Sequence, residues 1–161
     1  MDPAGRLVLL PDQDRSRWDA GQVAEGLALL RGAAGRAPAG PYLLQAAIAA
    51  EHARAPVAAD TDWGRIAALY AALEEQTGSP VVRLNRAVAV AEVTGPAAGL
   101  ALLDGLELPG FHLLPATRAD LLRRLGRPAE ARVEYAAALD LAGNAADRDF
   151  LTSRLAALEQ D

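Results

Sequence analysis

The chain has 161 residues, a net charge of −5, 52% apolar residues but only 4% aromatics, no Cys, and two His, His52 and His112. These figures exclude disulfides and thiolate metal sites, and argue against a His-rich metal centre and against autonomous nucleic-acid binding. A core so poor in aromatics has to be built from Ala, Leu and Val, which favours closely packed helices over a sheet sandwich, and the length suits one domain or one stack of repeats.

All 16 basic residues are Arg, which fits a GC-rich coding bias and carries no functional message. The start, MDPAGR, has no long apolar run, and no window reaches the roughly 20 apolar residues of a membrane span without an interrupting charge. A soluble, cytoplasmic protein is therefore expected.

In chain order, GRLVLLP (Gly5 to Pro11) is too short for a helix and is bounded by Gly and Pro. It predicts an extended strap. DQDRSRWD (Asp12 to Asp19) is dense in charge around Trp18, and Asp14 or Ser16 can cap an opening helical turn. Residues 1–18 are read as an extended linker and residues 19–161 as a single helical domain.

The first helix is expected over 19–33, with Val23, Leu27 and Leu30 as its apolar stripe. GAAGRAPAG (Gly32 to Gly40) is a loop, and Pro41 starts a second helix over 41–55 that Pro56 ends. Asp60-Thr61-Asp62 offers an N-cap for a third helix over 62–77, with the apolar row Trp63, Ile66, Ala67, Tyr70, Leu73. A fourth helix follows Ser79-Pro80 over 80–93, and a fifth follows Gly95-Pro96 over 96–106. A sixth is expected over 111–125, where Pro115 is tolerable only in the first turn. Gly126 ends it in a left-handed turn, Pro128 opens a seventh over 128–141, and a polar-faced capping helix covers 145–158.

Pro96, Ala97, Gly99 and Leu103 align with Pro128, Ala129, Ala131 and Tyr135 at a common offset, close to the roughly 34-residue period of tetratricopeptide repeats. The fold class read from the sequence is all-α, a tetratricopeptide-like stack of antiparallel helix pairs with about eight helices and a short extended N-terminal segment. Such units bury their apolar faces only against stacked neighbours, and their usual business is binding.

No enzyme signal stands out. Asp12-x-Asp14-x-Ser16 opens like a calcium loop, but Arg17 and Val23 occupy positions that need Gly and Glu. There is no phosphate-binding GKS or GKT. Asp60 with Asp62 reads as capping, Glu74 with Glu75 as a solvated helix end, and Ser16, Ser79 and Ser153 lack a recognisable His and Asp. No catalytic residue, cofactor or metal site is assigned.

Polar residues inside apolar stretches are the remaining candidates. Gln45 and His52 are seven apart on one helix face, Asn85 and Arg86 interrupt the fourth helix, and Arg118 and Asp120 lie in the sixth. Such groups either bond to loop backbones or to one another, or line a groove where a partner docks. Gln45, His52, Asn85, Arg86 and Arg118 are the candidate partner-binding groove. Trp18, Trp63 and Tyr70 read as core rather than as cofactor contacts.

Five blocks in order, DQDRSRWD, GPYLLQAAIAAEHA (Gly40 to Ala53), DTDWGRIAALY (Asp60 to Tyr70), SPVVRLNRAVAVAE (Ser79 to Glu92) and RADLLRRLGR (Arg118 to Arg127), resemble one family. It is the C-terminal, tetratricopeptide-like extension of a subgroup of bacterial extracytoplasmic-function (ECF) sigma factors. The resemblance covers nearly the whole chain. It implies a longer parent whose upstream regions contact core RNA polymerase and promoter DNA, so that Met1 is expected to mark the start of an excised piece. It implies control of sigma activity in cis, through contacts with the upstream sigma regions or core RNA polymerase. A small DGPF-type protein related to the YCII group is a further candidate partner. Neither direct nucleic-acid contact by this domain nor membrane contact is implied. Asp14, Arg15, Arg17 and Trp18 would link the groove to the upstream regions. The family pattern has a polar residue, often His, where this chain carries Pro115, so a site shared with His112 is not expected. The competing reading is a stand-alone scaffold that recruits a separate protein or senses a small ligand.

Overall fold

The computed structural model describes residues 7–33 and 39–158. They fall into two compact units, Leu9–Ala89 and residues 90–158 with 7–8. Among the described residues all regular structure is helical, in eight α-helices and three short 3-10 turns.

In the first unit, 3-10 turns at Leu10–Asp12 and Arg15–Arg17 precede α1 (Ala20–Ala33), α2 (Pro41–Arg54), a third 3-10 turn at Ala58–Asp60, and α3 (Trp63–Thr77). α4 (Pro80–Thr94) supplies residues to both units. Capping side chains set the starts of two helices. Asp19 accepts the backbone N–H of Gln22 at 2.9 Å and Asp62 that of Arg65 at 2.8 Å, satisfying donors that have no partner within the helix. Pro41 occupies the first turn of α2, where its missing N–H costs nothing. The core gathers Leu44, Ile48, Ile66, Leu73 and Ala89, flanked by Trp63, Tyr70 and Val82. α1 packs on α2 but buries no residue. Its stripe of Val23, Leu27 and Leu30 is only half-buried. Part of the expected loop at 32–40, residues 34–38, lies outside the described residues.

The second unit contains α5 (Pro96–Leu102), α6 (Leu113–Arg124), α7 (Pro128–Leu141) and α8 (Ala145–Ala157). Consecutive helices pack on each other, α5 on α6, α6 on α7 and α7 on α8. Its core is Ala119, Leu122, Ala131, Tyr135, Ala138, Leu151 and Leu158, with small residues on α7 that let helices approach closely. The aligned positions behave alike. Pro96 and Pro128 open helices, Gly99 and Ala131 are buried, and so are Leu103 and Tyr135.

α5 is shorter than the sequence suggests. It stops at Leu102, and Leu103 and Leu106 tuck their side chains inward from the following turn, which Gly105 closes at φ 68°. Pro115 is the third residue of α6 and is buried there, so its lack of an N–H removes no helical hydrogen bond.

Candidate functional site

The DQDRSRWD block builds a joint rather than an open linker. Asp14 accepts hydrogen bonds from both the hydroxyl (2.6 Å) and the backbone N–H (3.1 Å) of Ser16, closing the turn. The Ser16 bonds hold its carboxyl below the usual carboxylate range. The turn aims Arg15 at the C-terminal end of α2. There its Nη1 donates to the carbonyls of His52 (2.9 Å) and Ala55 (2.8 Å), and its Nη2 to the hydroxyl of buried Thr61 (3.2 Å). These carbonyls belong to the helix end that the helix itself leaves unpaired. The Trp18 ring covers the guanidinium at 5.2 Å from its centroid. Arg17 is exposed.

His52 sits beside this joint with its ring edge-on to Trp63, the centroids 5.3 Å apart. Burial, and then the charge of Arg15, push its pKa below the ordinary value. Two buried atoms of the joint, Arg15 Nε and His52 Nδ1, lack a hydrogen-bond partner. Each such atom costs about 1–3 kcal/mol of desolvation.

The other polar candidates separate by face. Gln45 and Asn85 are exposed, while His52 and Arg86 are half-buried. The polar residue that α2 does bury is Glu51, which continues the row Leu44, Ile48 and leads to Ala55. Glu51 pairs with Arg54 at 2.8 Å within α2 and with Arg65 of α3 at 2.7 Å. Its signal was present in the sequence as a lone acid on an apolar i, i+4, i+7 row. Arg86 is committed to Glu74 of α3 at 3.1 Å, and Arg83 holds the other oxygen of the same carboxylate at 2.6 Å. Burial pushes Glu74 up, but the two guanidiniums outweigh it and hold the carboxyl below its ordinary value.

In the second unit, Arg118 donates to the carbonyls of Leu103 (2.9 Å) and Leu106 (3.0 Å), bracing the turn after α5. It also borders an open cleft of about 450 Å³ with Leu100, Leu122, Asp104 and Glu134. Asp120 pairs with Arg123 at 2.8 Å on α6. His112, at the start of α6, meets Asp147 of α8 at 3.2 Å.

Among the described residues, no group of three or more His, Asp or Glu is placed to hold a metal ion, and no helix is long and apolar enough to cross a membrane. The arrangement offers an exposed amide on each of α2 and α4, a docked N-terminal turn and helix ends clasped by guanidinium groups.

The chain is 45% identical over 156 residues to an uncharacterized protein of Rhizobium meliloti (strain 1021). The match takes in 96% of this chain but 37% of that protein, so the chain spans little more than a third of the relative's length. No family model matches the chain, and no solved structure matches it.

Proposed function

We propose that this chain is the regulatory, tetratricopeptide-like interaction domain of an ECF sigma factor. It modulates transcription initiation through protein–protein contacts with the upstream sigma regions or core RNA polymerase, and it carries no catalytic activity of its own. The observation that carries the reading is the ordered set of five sequence blocks. The length of the Rhizobium relative supports it, because nearly two thirds of that protein lies beyond the match, room for further regions. The helical architecture supports it too, since helix pairs with exposed polar faces suit recognition of a polypeptide.

The contact surface within Leu9–Ala89 is assigned to the exposed amides of Gln45 and Asn85, with Arg86 at its margin. Arg86 is a poor probe of binding because reversing its charge would set two acids together at Glu74. Gln45→Ala and Asn85→Ala are cleaner, because neither side chain is in the core. The experiment is calorimetric titration of this chain with separately expressed upstream sigma regions. Micromolar or tighter binding, weakened about tenfold by the double Gln45→Ala, Asn85→Ala variant, is expected. Absence of heat at any accessible concentration would remove control in cis through a docked interface.

A further inference from the structure

Segment 10–18 is held in an unusual way for its position. None of its residues is buried, and Leu10 is 41% exposed, so little apolar surface fastens it. Its backbone is largely self-sufficient. Asp12 and Gln13 donate to the carbonyls of Leu9 and Leu10, Arg17 and Trp18 to those of Asp14 and Arg15, and Asp14 closes on Ser16. Lifting the segment off the helices breaks none of those bonds directly, but three-residue turns without tertiary support fray, so their amides exchange once the segment is undocked. The segment touches the third 3-10 turn through Leu10–Asp12, and a charged tie to the body of the unit is the Arg15 fork, spread over two carbonyls and one hydroxyl. The docked joint also confines Arg15 Nε and His52 Nδ1 without partners, and both would regain hydrogen bonds in water on release. Strong charge-assisted bonds on one side and stranded polar atoms on the other are the makings of a balanced two-state contact.

We propose that residues 10–18 form a releasable strap, fastened to the C-terminal end of α2 by the Arg15 guanidinium, whose undocking frees the carbonyls of His52 and Ala55 and the hydroxyl of Thr61. Trp18 shields the fastener, because its ring lies over the guanidinium and keeps water from competing for it. The released carbonyls are an acceptor set that only a planar, multi-donor group matches well, so the strap recloses on the same place. If the sigma-factor reading holds, the strap lies between the upstream regions and the helical array, and release lengthens their tether. That consequence rests on the sigma-factor reading; the latch itself is a property of this chain alone.

Amide hydrogen exchange on the full chain tests the latch without any partner. Arg15→Ala is expected to speed exchange at Asp12, Gln13, Arg17 and Trp18 about tenfold or more, with α3 amides unchanged within about twofold. Arg15→Lys, which keeps the charge but loses the fork, is expected to open the strap nearly as far. Trp18→Ala, which keeps the hydrogen bonds, is expected to give a smaller rise of about threefold. Unchanged strap exchange in Arg15→Ala would overturn the assignment of the fastener. Exchange rising equally through α2 and α3 would overturn the strap as a separate, releasable element, and full protection in Arg15→Lys would overturn the role of the fork.

Discussion

A single residue type closes much of this protein. Arg15 donates to carbonyls at the end of α2, Arg118 to those after α5, Arg124 to Ala91 in α4, Arg132 to Leu158 after α8, and Arg148 to Leu139 and Ala142 at the end of α7. The carbonyls at a helix end carry the negative pole of the helix and have no donor inside it. A guanidinium brings several donors and a fixed positive charge, so one side chain can serve two carbonyls at once. The same scale gives a pH prediction at His52. Its folded pKa lies below the ordinary 6.5, so the folded state prefers neutral imidazole. The unfolded chain then binds more protons as pH falls, and the His52 contribution is present above about pH 6.5 and lost as pH drops through the folded pKa. Urea unfolding followed between pH 7.5 and 5 should show stability falling with acid, and His52→Gln should flatten that slope. A slope unchanged by the substitution would contradict the assignment. Glu74, held low by Arg83 and Arg86, acts by the same sign only below the ordinary carboxylate pKa near 4.5.

At the scale of elements, glycine and arginine divide the helix ends. α3 stops at Gly78 (φ 59°), whose N–H reaches the Glu74 carbonyl at 2.8 Å. α6 stops at Gly126 (φ 70°), with Gly126 N–H on Arg123 O and Arg127 N–H on Leu122 O, both at 3.0 Å. That paired closure needs the left-handed backbone, which a Cβ disfavours. Space is not the constraint, since a Cβ at Gly126 meets nothing within 4 Å. Gly126→Ala is therefore expected to cost about 1–2 kcal/mol from backbone strain alone, read as a lower urea midpoint with an unchanged m value. A neutral result would show that the α6–α7 turn can close another way. The short extent of α5 shows the opposite case, where tertiary packing ends a helix. Leu103 and Leu106 gain burial by leaving the helical path, and Arg118 then pairs the carbonyls that path exposes.

At the scale of the whole molecule, charge and its use bear on contact with nucleic acid. The net charge is −5. Among the described residues many arginines are spent on helix ends or on Glu51, Glu74, Glu92, Asp120 and Glu130. Guanidiniums so engaged are poorly placed to neutralise phosphates. Titration of duplex DNA with this chain at about 0.15 M salt is expected to show no binding. Binding that weakened steeply with added salt would contradict this and move the proposed function toward direct promoter contact.

The sequence by itself determined the fold class and nearly every helix boundary, because the punctuation is local. Proline at first-turn positions, the Asp62 cap, and Gly78 and Gly126 as stops act through the few residues beside them. Apolar spacing located the core face of α3, through Ile66 and Leu73, but not of α1, whose stripe is only half-buried. Only the tertiary structure decided which partners the polar residues take. Gln45 and Glu51 both interrupt the apolar run of α2, yet one faces solvent and the other is buried between Arg54 and Arg65. Glu51 lies on the apolar row of Leu44 and Ile48 and Gln45 lies off it, and the packing of α3 supplies the Arg65 partner that the row alone does not name. In the sequence Arg15 reads, with Asp14, Arg17 and Trp18, as a link to upstream regions rather than as a clasp on α2. Its partners lie 37 to 46 residues away, so its role as a fastener exists only once α2 and α3 have met.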